Sequence, residues 1–310
     1  KDKAVLLVAF GSTWTNAFAA FDDTKKAYEA AFPDADVYFC FSSDICINRA
    51  SAGEHGESRN YYEPRYLLHA IGAAKYKTVY VQSLQVIPGE EFANVVAAVK
   101  KFANNGYVKD AHLDDEYLKT VEIHLGMPLL NDLDEVDDVA KLLNDLYHEE
   151  AAQGVVAFMG HGNPDNYDSF KANIRYTQLE KALQTYSKNY YVGTVDMKDN
   201  YKQNVMARMQ NNNITSGKVY LHALMSIAGD HAHNDMAGEG SDYWDASEPT
   251  SEDNSWFEFF NHNGFTSVVP QTNGNPLGLL ELPTIRQIWI NHTKNAELLE
   301  DAYHSMYPEE

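Results

Sequence analysis

Four titratable side chains crowd six residues of this chain: Asp230, His231, His233 and Asp235, in the stretch Gly229-Asp230-His231-Ala232-His233-Asn234-Asp235. Imidazoles and carboxylates at that density can hold a borderline divalent ion such as Co2+, Fe2+, Ni2+ or Zn2+, or exchange protons near neutrality. A second candidate is His161, set between Gly160 and Gly162, where missing side chains would let backbone and ligand approach the ring. The third is Pro88-Gly89-Glu90-Glu91. Each candidate has a plainer reading. His231 could bond backbone at a strand end, and the glycines around His161 could serve a tight turn alone. Glu90 and Glu91 open a helix, whose positive end stabilises carboxylates whatever their role. Asp230 could orient the His231 imidazole, while His233 and Asp235 could support the site or cap a helix.

All three stretches follow apolar strands. Val219–Met225 precedes the His231 cluster, Val155–Met159 precedes His161, and Val79–Leu84 precedes Glu91. Near-continuous apolar runs of this length suit parallel strands covered on both faces, and ligands of such sheets bind beyond the carboxyl ends of the strands. Further strands are expected at Ala4–Phe10, Val37–Phe41, Val121–Gly126, Tyr191–Val195 and Phe265–Val269. Helices should alternate with them over 14–32, from Pro64, over Glu91–Phe102, Asp134–Tyr147, Tyr176–Tyr186, Asn200–Gln210 and Trp256–Phe260, with one closing helix from Pro283 to about Tyr303. The segment Gly238–Asn254 is polar and acidic, and reads as a surface loop.

This alternation implies an α/β fold of parallel sheets flanked by helices. The halves echo one another: VYVQSLQVIPGEEF matches VYLHALMSIAGDHA, and LLVAFGS matches VVAFMGHG. The expected organisation is an N-terminal domain over 1–128, a C-terminal domain over 129–282, and a last helix, 283–310, packing back on the first. Glu91 from one domain and His161 and His231 from the other would then reach a shared cleft.

Composition narrows the partners. A chain of 310 residues with 44% hydrophobic residues has ample core, and the net charge of −21 argues against nucleic acid, whose phosphates require clustered Lys and Arg. Apolar runs are too short to span a bilayer. No Gly-rich nucleotide fingerprint, phosphate loop or GxSxG elbow is present, so no nucleotide cofactor is expected. Cys40 and Cys46, the only cysteines, are expected as free thiols. His222 falls inside a strand and reads as a packing residue. The other histidines, among them His55, His69, His112, His124, His148, His262, His292 and His304, lack ligand spacing.

With these residues in hand the chain resembles the anaerobic cobalt chelatases that act on sirohydrochlorin, which share a two-domain chelatase fold with ferrochelatase. LLVAFGS, VQSLQVIPGEEF, GMPLL, VVAFMGHGNP, VGTV and LMSIAGDHAHNDMAG carry the likeness over nearly the whole length. The resemblance implies that His161, His231 and Glu91 bind metal and catalyse its insertion. It also implies that a tetrapyrrole lies beside Gly11, Ser12, Gly89, Gly160 and Gly162. Two departures stand out: Asn163-Pro164-Asp165 follow the histidine turn where relatives often carry another histidine, and Gly238–Asn254 looks inserted. The expected activity is insertion of Co2+ or Fe2+ into sirohydrochlorin or a related ring. The alternative is an exported haem- or metal-tetrapyrrole-binding protein without turnover. The start at Lys1, the acidity and the Tyr- and Asn-rich surface lead to an expectation of a periplasmic or cell-envelope location, with the cytoplasm as the alternative. A homo-oligomer is compatible with such a chain.

Overall fold

The computed structural model describes residues 1–106, 112–168 and 170–306, which fall into two compact units, Lys1–Leu129 with Arg286–Glu310, and Leu130–Ile285. The first unit is built from β1 (Lys3–Ala9), α1 (Thr15–Ala31), β2 (Ala35–Phe41), α2 (Asp44–Ala52), α3 (Pro64–Ala73), β3 (Thr78–Ser83), α4 (Glu90–Ala103), α5 (Asp115–Thr120) and β4 (Glu122–Gly126). Every residue of β1 from Ala4 to Ala9 is buried, as its unbroken apolar run requires of a strand with helices on both faces. Helix α1 turns Phe18, Phe21 and Tyr28 inward on one face, and ends where the Phe32 N–H bonds the Tyr28 carbonyl just before Pro33.

The second unit comprises α6 (Leu133–Gln153), β5 (Val155–Gly160), α7 (Ile174–Leu183), β6 (Tyr190–Thr194), α8 (Lys202–Asn211), β7 (Gly217–Ala223), α9 (Trp256–Asn261) and β8 (Phe265–Val268). Its core packs Ala157, Met159, Tyr191, Leu221, Trp256 and Phe260 together. Among the described residues the parallel strands run in the order β2-β1-β3-β4 in the first sheet and β6-β5-β7-β8 in the second. The order is the same in both, which is the structural counterpart of the repeated sequence. In each, the third strand leads into the turn that carries a candidate residue.

The closing helix is not one piece. Helix α10 (Pro283–Lys294) stops at Asn295, Glu297–Leu298 forms a short strand β9 antiparallel to β4, and α11 (Leu299–Met306) follows. Two buried contacts anchor α10. Trp289 donates its indole N–H to the Gln85 carbonyl (3.1 Å), and the Thr293 hydroxyl donates to Gln82 Oε1 (2.8 Å) while accepting from Tyr28 (3.0 Å). Helices α2 and α5 are absent from the sequence expectation because both are short and expose most of their residues, leaving little apolar periodicity to read.

The Gly238–Asn254 segment is better anchored than its composition suggests. Asn254 is 1% exposed and donates to the Glu248 and Pro249 carbonyls, and the Lys202 ammonium donates to the Ser251 carbonyl at 2.9 Å. Trp244 stacks on His262 at 4.4 Å. Polar side chains bonding backbone add to the packing that Trp244 makes against the core. Both cysteines are free thiols. Among the described residues no helix is long and apolar enough to cross a membrane.

Candidate active site

Strand β5 lies between β6 and β7, so the turns that follow these three strands emerge side by side. His161 follows β5 directly. The Val195 and Asp196 N–H groups both donate to the His161 carbonyl, at 3.2 and 2.9 Å, which ties the β6 turn to the β5 turn. On the other side the Leu224 N–H donates to the Met159 carbonyl, and the Leu279 and Leu280 N–H groups pin the Met225 and Ser226 carbonyls. The chain then enters a π-helical turn, His231–Met236, with Asp230 just before it. Such wide turns are rare and occur frequently at functional sites.

These supports bring His161 and His231 together. Their ring centroids are 4.8 Å apart and the planes cross at 77°, edge to face. His161 Nδ1 lies 2.7 Å from the Gly162 carbonyl, and His231 Nδ1 lies 2.5 Å from Asp235 Oδ2. A carbonyl and a carboxylate only accept, so both Nδ1 atoms carry the proton. Both Nε2 lone pairs are left for a metal or a proton, the arrangement in which outer acceptors orient metal-ligating histidines. Each ring is about half exposed, His161 at 49% and His231 at 45%. The hydrogen bond to Asp235 raises the His231 pKa, burial opposes it, and the charges of Asp235, Asp196 and Asp230 add to the rise. His231 is therefore a stronger base than a free imidazole.

Asp196, the residue after Val195, completes this edge. Its Oδ2 stands 3.4 Å from His161 Nε2. Sequence reasoning missed it: a single aspartate past a strand has no motif around it, and its position at a strand's carboxyl end was the one available signal. Among the described residues no three His, Cys, Asp or Glu side chains already close around an ion-sized space. The two imidazoles face each other with Asp196 beside His161.

The other expected residues have defined places. Asp235, rather than Asp230, orients His231, because side chains four residues apart lie on the same face of a helical turn. His233 is fully buried and bonds Glu239 at 2.7 Å, which makes it part of the turn's framework. His222 is mostly covered, lies 2.5 Å from Glu150 and stacks on Tyr147 at 4.0 Å, a packing role as expected. Gly160 and Gly162 have a packing reason. A Cβ on the first would meet the Tyr176 ring at 2.5 Å, and one on the second, held at φ 77°, would meet Met197 at 2.9 Å. In the first unit, Gly11 fits against Phe41 and Cys46, and the Ser12 hydroxyl accepts from the Trp14 N–H. Gly89 precedes α4, and Glu91 sits half-buried in its first turn. Burial first, and then the charge of Glu90, raises the Glu91 pKa.

Comparison with known proteins places this geometry. The chain is 26% identical over 301 residues to the sirohydrochlorin cobaltochelatase of Salmonella typhimurium, covering 95% of this chain and 96% of that protein. It is likewise 26% identical over 243 residues, 78% of each chain, to the sirohydrochlorin cobaltochelatase CbiKC of Nitratidesulfovibrio vulgaris. Among solved structures, SirB from Bacillus subtilis with Fe3+ superposes with a TM-score of 0.55 at 15% identity, over 98% of this chain and 96% of that one, a likeness of fold. The family model described as Cobalt chelatase (CbiK) matches residues 3–297, a span that takes in both sheets and the His161 and His231 turns, and the chain belongs to that family.

Proposed function

We propose that this chain is a metal chelatase, a lyase-type enzyme that inserts cobalt or iron as the divalent ion into sirohydrochlorin or a related tetrapyrrole. The paired imidazoles, each with Nδ1 engaged and Nε2 open, carry the reading. Insertion exchanges one dication for two pyrrole N–H protons, so the site needs donors that hold the metal loosely and bases that accept the protons. His161 Nε2, His231 Nε2 and an Asp196 oxygen are the metal donors. Once the ion passes to the ring, the vacated His231 Nε2, a stronger base than a free imidazole, takes one of the protons. Glu91, which the family resemblance implies for the site, is the second acceptor in this proposal, and its burial disposes the carboxylate to take a proton. Ni2+ and Zn2+ suit the same donors and serve as test ions.

Absorbance of sirohydrochlorin with Co2+ or Fe2+ tests the activity. Many turnovers per protein molecule are expected. Stoichiometric binding of the ring without insertion would instead support a carrier. In the same assay Asp196→Asn, which keeps shape and removes charge, is expected to raise the KM for Co2+ about tenfold while lowering kcat little. An unchanged KM would remove Asp196 from the donor set.

A further inference from the structure

His161 lacks what His231 has, a side chain holding its Nδ1. Its acceptor is the carbonyl of the peptide joining Gly162 to Asn163, a backbone group in a glycine turn with φ 77°. Such a peptide can flip, and a flip would remove the acceptor that sets the tautomer. Something must hold it.

We propose that Asn173 is a positioning residue for His161: its side-chain amide clamps the Gly162–Asn163 peptide and thereby keeps the His161 Nε2 lone pair open. Asn173 Oδ1 accepts from the Asn163 N–H at 2.9 Å, and Asn173 Nδ2 donates to the Asn163 carbonyl at 2.7 Å. The amide thus pairs with Asn163 backbone on both sides, as a neighbouring strand would. Because N–H and C=O of one peptide point in opposite directions, fixing the Asn163 N–H aims the Gly162 carbonyl at His161 Nδ1. Asn163 and Asn173 are each 7% exposed, so water competes poorly for these bonds. Asn173 is itself held: the Asp168 carboxylate accepts from the Ala172 N–H at 2.7 Å and the Asn173 N–H at 3.2 Å. The chain of bonds runs from Asp168 through the backbone of Asn173 to its amide, to the peptide, and to the imidazole. The clamp takes the place, on the β5 turn, that Asp235 holds on the β7 turn.

This inference rests on the proposed metal role of His161, but its test does not depend on turnover. Nitrogen NMR of labelled histidine reports the His161 tautomer, and titration with Co2+ alone reports metal binding. In Asn173→Ala the Nδ1–H tautomer of His161 is expected to give way to a mixture, with Co2+ affinity falling about tenfold or more. Asn173→Asp keeps the acceptor and loses the donor, so it should recover part of both, and it provides the comparison if the alanine variant folds poorly. In a His161→Ala background, Asn173→Ala should change Co2+ affinity no further. A wild-type tautomer with wild-type Co2+ affinity in Asn173→Ala would overturn the proposal, as would an equal loss with and without His161. The expected tautomer and affinity changes in a protein that inserts metal into no ring would support the clamp and refute the chelatase reading.

Discussion

Replacing His161 and His231 together by alanine is expected to lower kcat/KM for cobalt insertion by about a thousandfold or more, with little change in stability. Both halves of the result follow from geometry. In the proposed mechanism each imidazole supplies one Nε2 to the metal and a base to the ring, and positioned acid–base groups contribute about a hundredfold to ten-thousandfold each. The ring centroids are 4.8 Å apart, and if both act on one ion as proposed, each single variant should already lose most of what the pair loses. Yet both side chains are about half exposed and fill no core, so their removal leaves the packing around β5 and β7 intact. Rates from sirohydrochlorin absorbance, beside a melting curve, check both halves. Wild-type rates in a folded double variant would end the assignment.

Glu91→Gln is expected to lower kcat by about a hundredfold and to raise the melting temperature at neutral pH. Loss of the proposed proton acceptor would produce the first effect. The second follows from linkage. Burial raises the Glu91 pKa in the folded protein, so the ionised carboxylate is less at ease folded than unfolded. Its destabilising effect begins as pH rises past the ordinary glutamate value, grows up to the raised value, and is complete above it. Glutamine removes that effect. The gain in melting temperature should therefore grow as pH rises above the ordinary glutamate pKa and vanish below it. Opposite movements of activity and stability would mark Glu91 as a residue kept for function; a loss of both would mark it as structural.

Much of the fold and of the site is legible in the amino-acid sequence. Apolar runs ended by glycine locate the strands, and the repeat of VYVQSLQVIPGEEF in VYLHALMSIAGDHA foretells two sheets of matching order. His161 and His231 stand out because histidine has no packing reason to follow a buried strand. What escapes is set by contacts distant in sequence. Asp196 gains meaning because β6 lies beside β5, a neighbour relation that no local pattern encodes. Asp235 displaces Asp230 as the partner of His231 because side chains four apart share a helical face, a relation that matters only once the segment after Gly229 is known to coil helically. The break after α10 depends on β9 finding the free edge of β4, again a matter of sheet neighbours. Asn173 lies twelve residues beyond His161 in a polar segment, and its role is visible only through paired amide bonds.

The central claim is that His161 and His231 hold one metal ion between them through Nε2. X-ray absorption of the Co2+-loaded protein tests it most directly. Two imidazoles per cobalt are expected in the wild-type spectrum, and none in the double alanine variant. A cobalt surrounded by oxygen alone, or a spectrum that the double substitution leaves unchanged, would contradict it.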